Sequence, residues 1–248
     1  MKNYIDATPG VKMGESLRSL GYDAKSAIAD LIDNSIDAAA KNIIVEVNAG
    51  KDQSKPVYEL SIFDDGCGMT VEGLNEALTL GSVSNKSKKS SLGCFGMGLK
   101  TSATSIGRRI TVITRSMQAG KVACRVYDLD VNKAQKRFVL EDRNPTKEEL
   151  VRFNKFAGEG SGTWVCITKI DSKEYLNAKG LVTAIKGKKL LRLIFRKFLD
   201  SGVCNISVNT AKLTPWGYDY VEGVRVLAAP FPFILADGTK LGTLKIIA

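Results

Sequence analysis

A chain of 248 residues, 44% hydrophobic and 25% charged, can bury its own core, as one large domain or one domain with part of a second. Its apolar runs are too short to span a bilayer and MKNYIDATPG lacks the apolar stretch of a signal peptide, so a cytoplasmic protein is expected. Zero histidines remove imidazole bases and His metal sites, five scattered cysteines read as reduced, and a net charge of +10 favours a polyanionic partner such as DNA or RNA.

After an irregular N-terminus, DAKSAIADLIDNSIDAAAKN (23–42) reads as a helix of several turns. IIVEVNA (43–49) and VYELSIFDD (57–65) read as strands, and TVEGLNEALTL (70–80) as a short helix capped by Thr70. GSVSNKSKKSSLGCFGMG (81–98) is a long basic, Gly-rich loop, a length usually kept for function. A helix in LKTSATSIG (99–107) precedes strands in RRITVITRS (108–116) and KVACRVYDLD (121–130). A helix near TKEELVRFNKF (146–156) and a strand in GTWVCITKI (162–170) follow. The character changes near Asp171: LVTAIKGKKLLRLIFRKFL (181–199) predicts one strongly amphipathic helix, followed by strand-like pieces. The final apolar GTLKIIA suggests a fragment or an abbreviated form of a longer protein.

The first helix carries an unusual stripe. Asp30, Asp33, Asn34 and Asp37 fall within roughly one third of its circumference, opposite Ile28, Ile32, Ile36 and Ala39. Solvated faces commonly pair acids with a base four residues on, and here only Asp37 has one, in Lys41. Asp and Asn are mediocre helix formers, so their accumulation implies a ligand or another polar partner.

Two glycine motifs add to this. DDGCGM (64–69) follows a strand. It suits an ordinary tight turn, or a site where Gly66 and Gly68 admit a flat ring and Asp64 accepts from an amino group. GCFGMG places Gly93, Gly96 and Gly98 just before a helix, where backbone N–H groups can converge on phosphate, although no GK[ST] of a P-loop follows.

The order of these pieces carries more than any one of them. An acid, Asn four residues on, Asp-Ala, DxGxGM, GxxGxG before a helix and GT on a late strand resemble the GHKL ATPases: gyrase, the large heat-shock chaperones, histidine kinases and MutL. The resemblance covers residues from about 15 to 170 and is greatest to the microrchidia (MORC) and MutL branch. It implies a Bergerat-type fold, an α/β two-layer sandwich whose mixed, mainly antiparallel sheet is covered by helices on one side. Residues 1–171 would form the ATPase domain and 172–248 the start of a transducer-like region.

The same resemblance implies ATP and Mg²⁺ as ligands. Asn34 would hold the metal, Asp64 would read the adenine amino group with Thr163, and Met69 would pack beside the base. Asp37 would support the nucleotide floor, and Gly93, Gly96 and Gly98 would close over the phosphates. Asp30 stands where the family usually has a Glu that activates water; aspartate keeps the carboxylate but is one methylene shorter. Lys100 suits either a surface position or a phosphate contact, and a transducer lysine is not assigned, Lys240 and Lys245 both being open.

The implied function is slow, Mg²⁺-dependent ATP hydrolysis driving a homodimeric clamp coupled to a DNA task, which leaves nucleoid or nuclear placement open. The alternatives are a non-hydrolysing nucleotide-binding scaffold and a heat-shock-type chaperone ATPase; the lack of histidine disfavours a histidine kinase. Lys189, Arg192 and Arg196, opposite Leu190, Ile194 and Phe198, form a basic stripe suited to solvent or to DNA phosphates without sequence preference. Lys86, Lys88 and Lys89 suit a solvated loop, and Trp164 and Trp216 read as packing residues.

Overall fold

A computed structural model describes residues 12–18, 23–52, 54–79, 98–118, 120–187 and 190–217, with the backbone of 231–234 and 240–244. The expectations for Gly93, Gly96, Lys86, Lys88, Lys89, Lys189, Lys245 and the Lys240 side chain lie outside the described residues. In chain order the elements are α1 (Lys12–Arg18), α2 (Ala24–Asp37), β1 (Asn42–Asn48), β2 (Glu59–Asp64), α3 (Val71–Leu78), α4 (Gly98–Ile106), β3 (Gly107–Arg115) and β4 (Val122–Asp128). Next come α5 (Leu129–Gln135), β5 (Glu141–Arg143), α6 (Lys147–Ala157), β6 (Gly162–Ile170), a 3-10 turn (Lys173–Tyr175), α7 (Ala178–Lys186), α8 (Leu191–Ile194) and α9 (Arg196–Asp200). Strands β7 (Asn205–Val208), β8 (Ala211–Lys212), β9 (Phe231–Ile234) and β10 (Lys240–Leu244) follow.

The main sheet has eight strands in the order β5-β4-β3-β6-β2-β1-β7-β8, antiparallel except where β1 meets β7. This is the mixed, mainly antiparallel sheet expected. Period-2 alternation sorts its residues. Leu60 and Ile62 on β2, Val45 on β1, Val112 on β3 and Ile167 on β6 meet Ala27, Ile28, Leu31 and Ile32 of α2 and Ala103 and Ile106 of α4 in one core. Each fully buried aliphatic side chain there contributes about 1.5–3 kcal/mol relative to exposure.

The opposite face is not bare, which corrects the expectation of helices on one side only. Phe63 stacks on Trp164 (centroids 4.9 Å apart), and both pack with Ile113, Val126 and Phe153 of α6. Side chains of that size cannot be left to water, so α6 covers them. A capping box of Thr146 and Glu149 starts this helix. Arg152 lies 4.7 Å from the Trp164 ring while pairing with Glu46 and Glu59. Truncating Phe153 to Ala would cost about 3–5 kcal/mol.

Several elements depart from the sequence reading. Helix α1 occupies a segment expected to be irregular, and α5 and β5 were not foreseen. The single helix expected over 181–199 is three pieces: Gly187 turns extended (ψ 157) after α7, Leu190 is non-helical, and Phe195 separates α8 from α9. These breaks reset the helical phase. Ile194, expected to be buried, is 51% exposed, while Phe195 is buried. Arg192 does not stand free on a basic stripe; its guanidinium donates to the Thr214 carbonyl and hydroxyl, both at 2.8 Å. Beyond residue 172, Leu181, Ile185, Leu191, Phe195, Ile206 and Val208 join the main core, whereas β9 and β10 form a separate two-stranded sheet.

Candidate functional site

Helix α2 starts at Asp23, whose side chain accepts from the amides of Lys25 (2.8 Å) and Ser26 (2.7 Å). Its apolar face is buried by Ala27, Ile28, Leu31 and Ile32. On the other face Asp30 and Asp33 are half-buried, and Asn34 and Asp37 are exposed. The Asn34 amide nitrogen donates to the Asp30 carbonyl at 2.9 Å, which leaves the amide oxygen for another partner. Oδ2 of Asp30 accepts from the Ser102 hydroxyl of α4 at 2.9 Å.

Among the described residues, Asp30, Asp33 and Asp37 form no ion pair. Burial, and then the charges of Asp30 and Asp37, push the Asp33 carboxyl up to about 6. The Asp37–Lys41 pair expected from helical spacing does not form. The helix ends at Asp37, Ala39 turns left-handed (φ 58), and the Lys41 ammonium donates to the Val203 carbonyl at 3.5 Å. Among the described residues no cation therefore pairs with the carboxylates of the stripe, of which Asp30 and Asp33 are half-buried and Asp37 is exposed.

The second part of the site lies at the end of β2. Asp64 is 5% exposed; Oδ2 accepts from Ser35 (3.1 Å) and Oδ1 from the Gly66 amide (3.0 Å). Burial dominates those bonds and pushes its carboxyl up to about 6. Thr163 is the cross-strand partner of both Asp64 and Thr114. The Thr163 and Thr114 hydroxyls are 3.2 Å apart, and Thr114 also donates to the Gly162 carbonyl and accepts from the Met69 amide, both at 2.9 Å. Asp64, Thr163, Thr114 and the Met69 backbone thus form one connected polar cluster.

Gly66 and Gly68 bring the turn after β2 close to neighbouring backbone. A Cβ on Gly66 would lie 2.7 Å from the Ala38 carbonyl oxygen, and one on Gly68 (φ +64) would lie 2.0 Å from that of Arg115. A Cβ on Gly162 would lie 2.4 Å from the Asp64 carbonyl oxygen. Gly98 opens α4, and no described residue lies within 4 Å of a Cβ added to it.

Lys100 does not occupy a surface position. It is 1% exposed, its ammonium donates to the Thr79 carbonyl at the end of α3, and burial lowers it to about 8. No cluster of three or more metal-ligating acids, cysteines or histidines occurs among the described residues. A single amide oxygen at Asn34 nevertheless fits Mg²⁺, which keeps most of its shell as water and phosphate oxygen. Ser35, Ser102 and Thr114 were missed from sequence. The available signals were a buried-side serine beside Asn34 and a threonine interrupting the apolar alternation of β3.

The family model for the histidine kinase-, DNA gyrase B- and HSP90-like ATPases matches residues 22–163, more than half of the chain. The chain belongs to this ATPase family. Within the GHKL family its relatives are MORC proteins and MutL, the branch indicated by its motifs. It is 30% identical over 165 residues to Protein MICRORCHIDIA 3 of Arabidopsis thaliana, covering 55% of this chain and 27% of that protein. ATPase morc-1 of Caenorhabditis elegans is 35% identical over 91 residues, covering 36% and 10%. DNA mismatch repair protein MutL of Pelotomaculum thermopropionicum is 35% identical over 100 residues, covering 38% and 15%. The chain thus spans at most about a quarter of these relatives' length.

Proposed function

We propose that this GHKL domain binds Mg·ATP between α2, the end of β2 and the start of α4, and hydrolyses it slowly. One observation carries the reading: adjacent residues of α2 serve two ends of one site. Asn34 leaves an exposed amide oxygen beside Asp30, while Ser35 fixes the buried Asp64. Asp64, ionised above about pH 6, is an acceptor that suits the adenine amino group and opposes guanine O6. Thr163 assists it, and Met69 packs beside the base. Asp37 lines the nucleotide floor, and Gly93, Gly96 and Gly98 close over the phosphates.

Mg²⁺ would be held by Asn34 and would neutralise phosphate charge. Asp30 orients a water and takes its proton as the oxygen attacks the γ-phosphorus and the bond to ADP breaks. General-base assistance of this kind is worth about 10²–10⁴-fold. Because Asp is one methylene shorter than the usual Glu, turnover is slow.

Beyond the ATPase step, the reading is an ATP-gated homodimeric clamp coupled to a DNA-related process. The basic excess supports it, as does similarity to a protein named for mismatch repair. The transducer-like region is taken to begin near residue 172. No described helix is long and apolar enough to cross a membrane.

Phosphate-release assays and calorimetry test the core of this. Asp30→Asn should abolish hydrolysis with ATP binding retained, Asp30→Glu should keep or raise turnover, and Asn34→Ala should lose most Mg²⁺-dependent affinity. Binding without hydrolysis in the wild type, even with DNA added, would replace the clamp cycle by a nucleotide-binding scaffold.

A further inference from the structure

Helix α4 carries four hydroxyl side chains, and Ser102 differs from Thr104 and Ser105 in the partner it takes. Thr104 bonds to the Lys100 carbonyl and Ser105 to the Ser102 carbonyl, each within the helix's own previous turn. Ser102 instead reaches across to α2 and donates to Oδ2 of Asp30 at 2.9 Å. Ser102 is 0% exposed and sits beside the core residue Ala103. A backbone carbonyl one turn back would have satisfied a buried serine equally well, as it does its neighbours. Alanine would be the better helix former at this position. The hydroxyl therefore does something for Asp30 that neither burial nor helix stability requires.

What it does follows from the state of Asp30. That carboxylate has no ion pair among the described residues, and Ser102 supplies its side-chain hydrogen bond. A half-exposed aspartate would otherwise turn about its Cβ–Cγ bond and divide its time between orientations. With Oδ2 held, Oδ1 is the oxygen left to meet a water. The partner is on a packed helix, so the constraint is rigid: α2 and α4 meet through Ile28, Ile32, Ala103 and Ile106 in the main core. A short arm also makes the bond effective, because aspartate has one side-chain torsion fewer than glutamate to fix.

We propose that Ser102 is a positioning residue for ATP hydrolysis, holding Oδ2 of Asp30 so that Oδ1 faces the attacking water. This rests on the reading of Asp30 as the base. Phosphoryl transfer depends chiefly on placement, and an ångström of misplacement can cost about a hundredfold.

The test is a double-mutant cycle on the intact chain, with kcat from phosphate release and Kd for Mg·ATP from calorimetry. Ser102→Ala should lower kcat by roughly 10- to 100-fold while leaving Kd within about twofold. In the Asp30→Glu background, where the carboxylate lies one methylene further out and is no longer the group that Ser102 is placed to hold, Ser102→Ala should cost less than in the wild type. Ser102→Ala with wild-type kcat, or an equal loss in both backgrounds, overturns the positioning role alone. A loss of ATP affinity matching the loss of rate would also overturn it, as general damage to the site. Asp30→Asn turning over at the wild-type rate, or a wild type that does not hydrolyse ATP, removes the base reading and the positioning role together.

Discussion

The Ser35 hydroxyl donates to Oδ2 of Asp64 across 3.1 Å, joining the buried side of α2 to the last residue of β2. Since Asn34 precedes Ser35, a rigid shift of α2 would move the metal-side oxygen and the buried carboxylate together.

The first prediction concerns acid. Burial raises Asp64 from 3.8 to about 6, so it is ionised at neutral pH and protonates as pH falls through about 6. ATP affinity should fall over the same window, and the selectivity over GTP should fall with it. Ser35→Ala removes a bond that favours the anion and should move this limb to higher pH. Asp33 titrates near the same value, so Asp33→Asn is the control. Calorimetry between pH 5 and 8 reads it; an unmoved limb in Ser35→Ala would detach Asp64 from binding. For folding the sign is opposite to that of a salt-bridged acid. The native state holds its proton more tightly, so the cost of burying the anion is absent below 3.8 and complete above about 6. That cost is about 3 kcal/mol.

Two glycines with nearly the same backbone angle separate strain from collision. Gly68 (φ +64) faces the Arg115 carbonyl, whereas Gly202 (φ +67) has no described residue within 4 Å of an added Cβ. Gly202→Ala should cost only the left-handed penalty, about 1–2 kcal/mol. Gly68→Ala must also displace the end of β3 and should cost on the order of 4 kcal/mol or more. Urea denaturation of both variants checks the difference, and equal costs would contradict the close approach.

Lys100 makes a prediction in base. Burial lowers its ammonium from 10.5 to about 8, so the unfolded chain binds more protons between those values. The cost of burying the charge is full below about pH 8 and fades as pH rises towards 10.5. Other groups titrate there too, so the readout is the stability of Lys100→Met minus that of the wild type. That difference should move against the variant by roughly 2–3 kcal/mol between pH 8 and 10. A flat difference would mean that the ammonium is solvated.

The DNA arm of the proposal predicts weak, sequence-independent binding to duplex DNA. Raising salt from 50 to 200 mM should weaken it by about tenfold or more. Arg192 is not the residue to reverse, because it supports Thr214; exposed Lys197 is the cleaner choice. Indifference to both salt and Lys197→Glu would leave the charge excess as solvated surface.

The sequence by itself determined the family, because the chemistry of nucleotide binding sits in contiguous runs. One helix face collects Asp30, Asn34 and Asp37, and the turn after β2 carries its glycines beside Asp64. The strands were legible wherever apolar residues alternate, since one strand contains the whole pattern. Partnerships across elements were not. Only the tertiary structure brings Ser102 to Asp30 over a separation of 72 residues and Ser35 to Asp64 over 29. It also showed that Gly66 and Gly68 lie against the backbone of Ala38 and Arg115. The breaks at Gly187 and Phe195 were hidden because an apolar period persists across a segment whose backbone does not. Local pattern fixes what each segment can be, whereas a hydroxyl's partner depends on which helix is packed beside it.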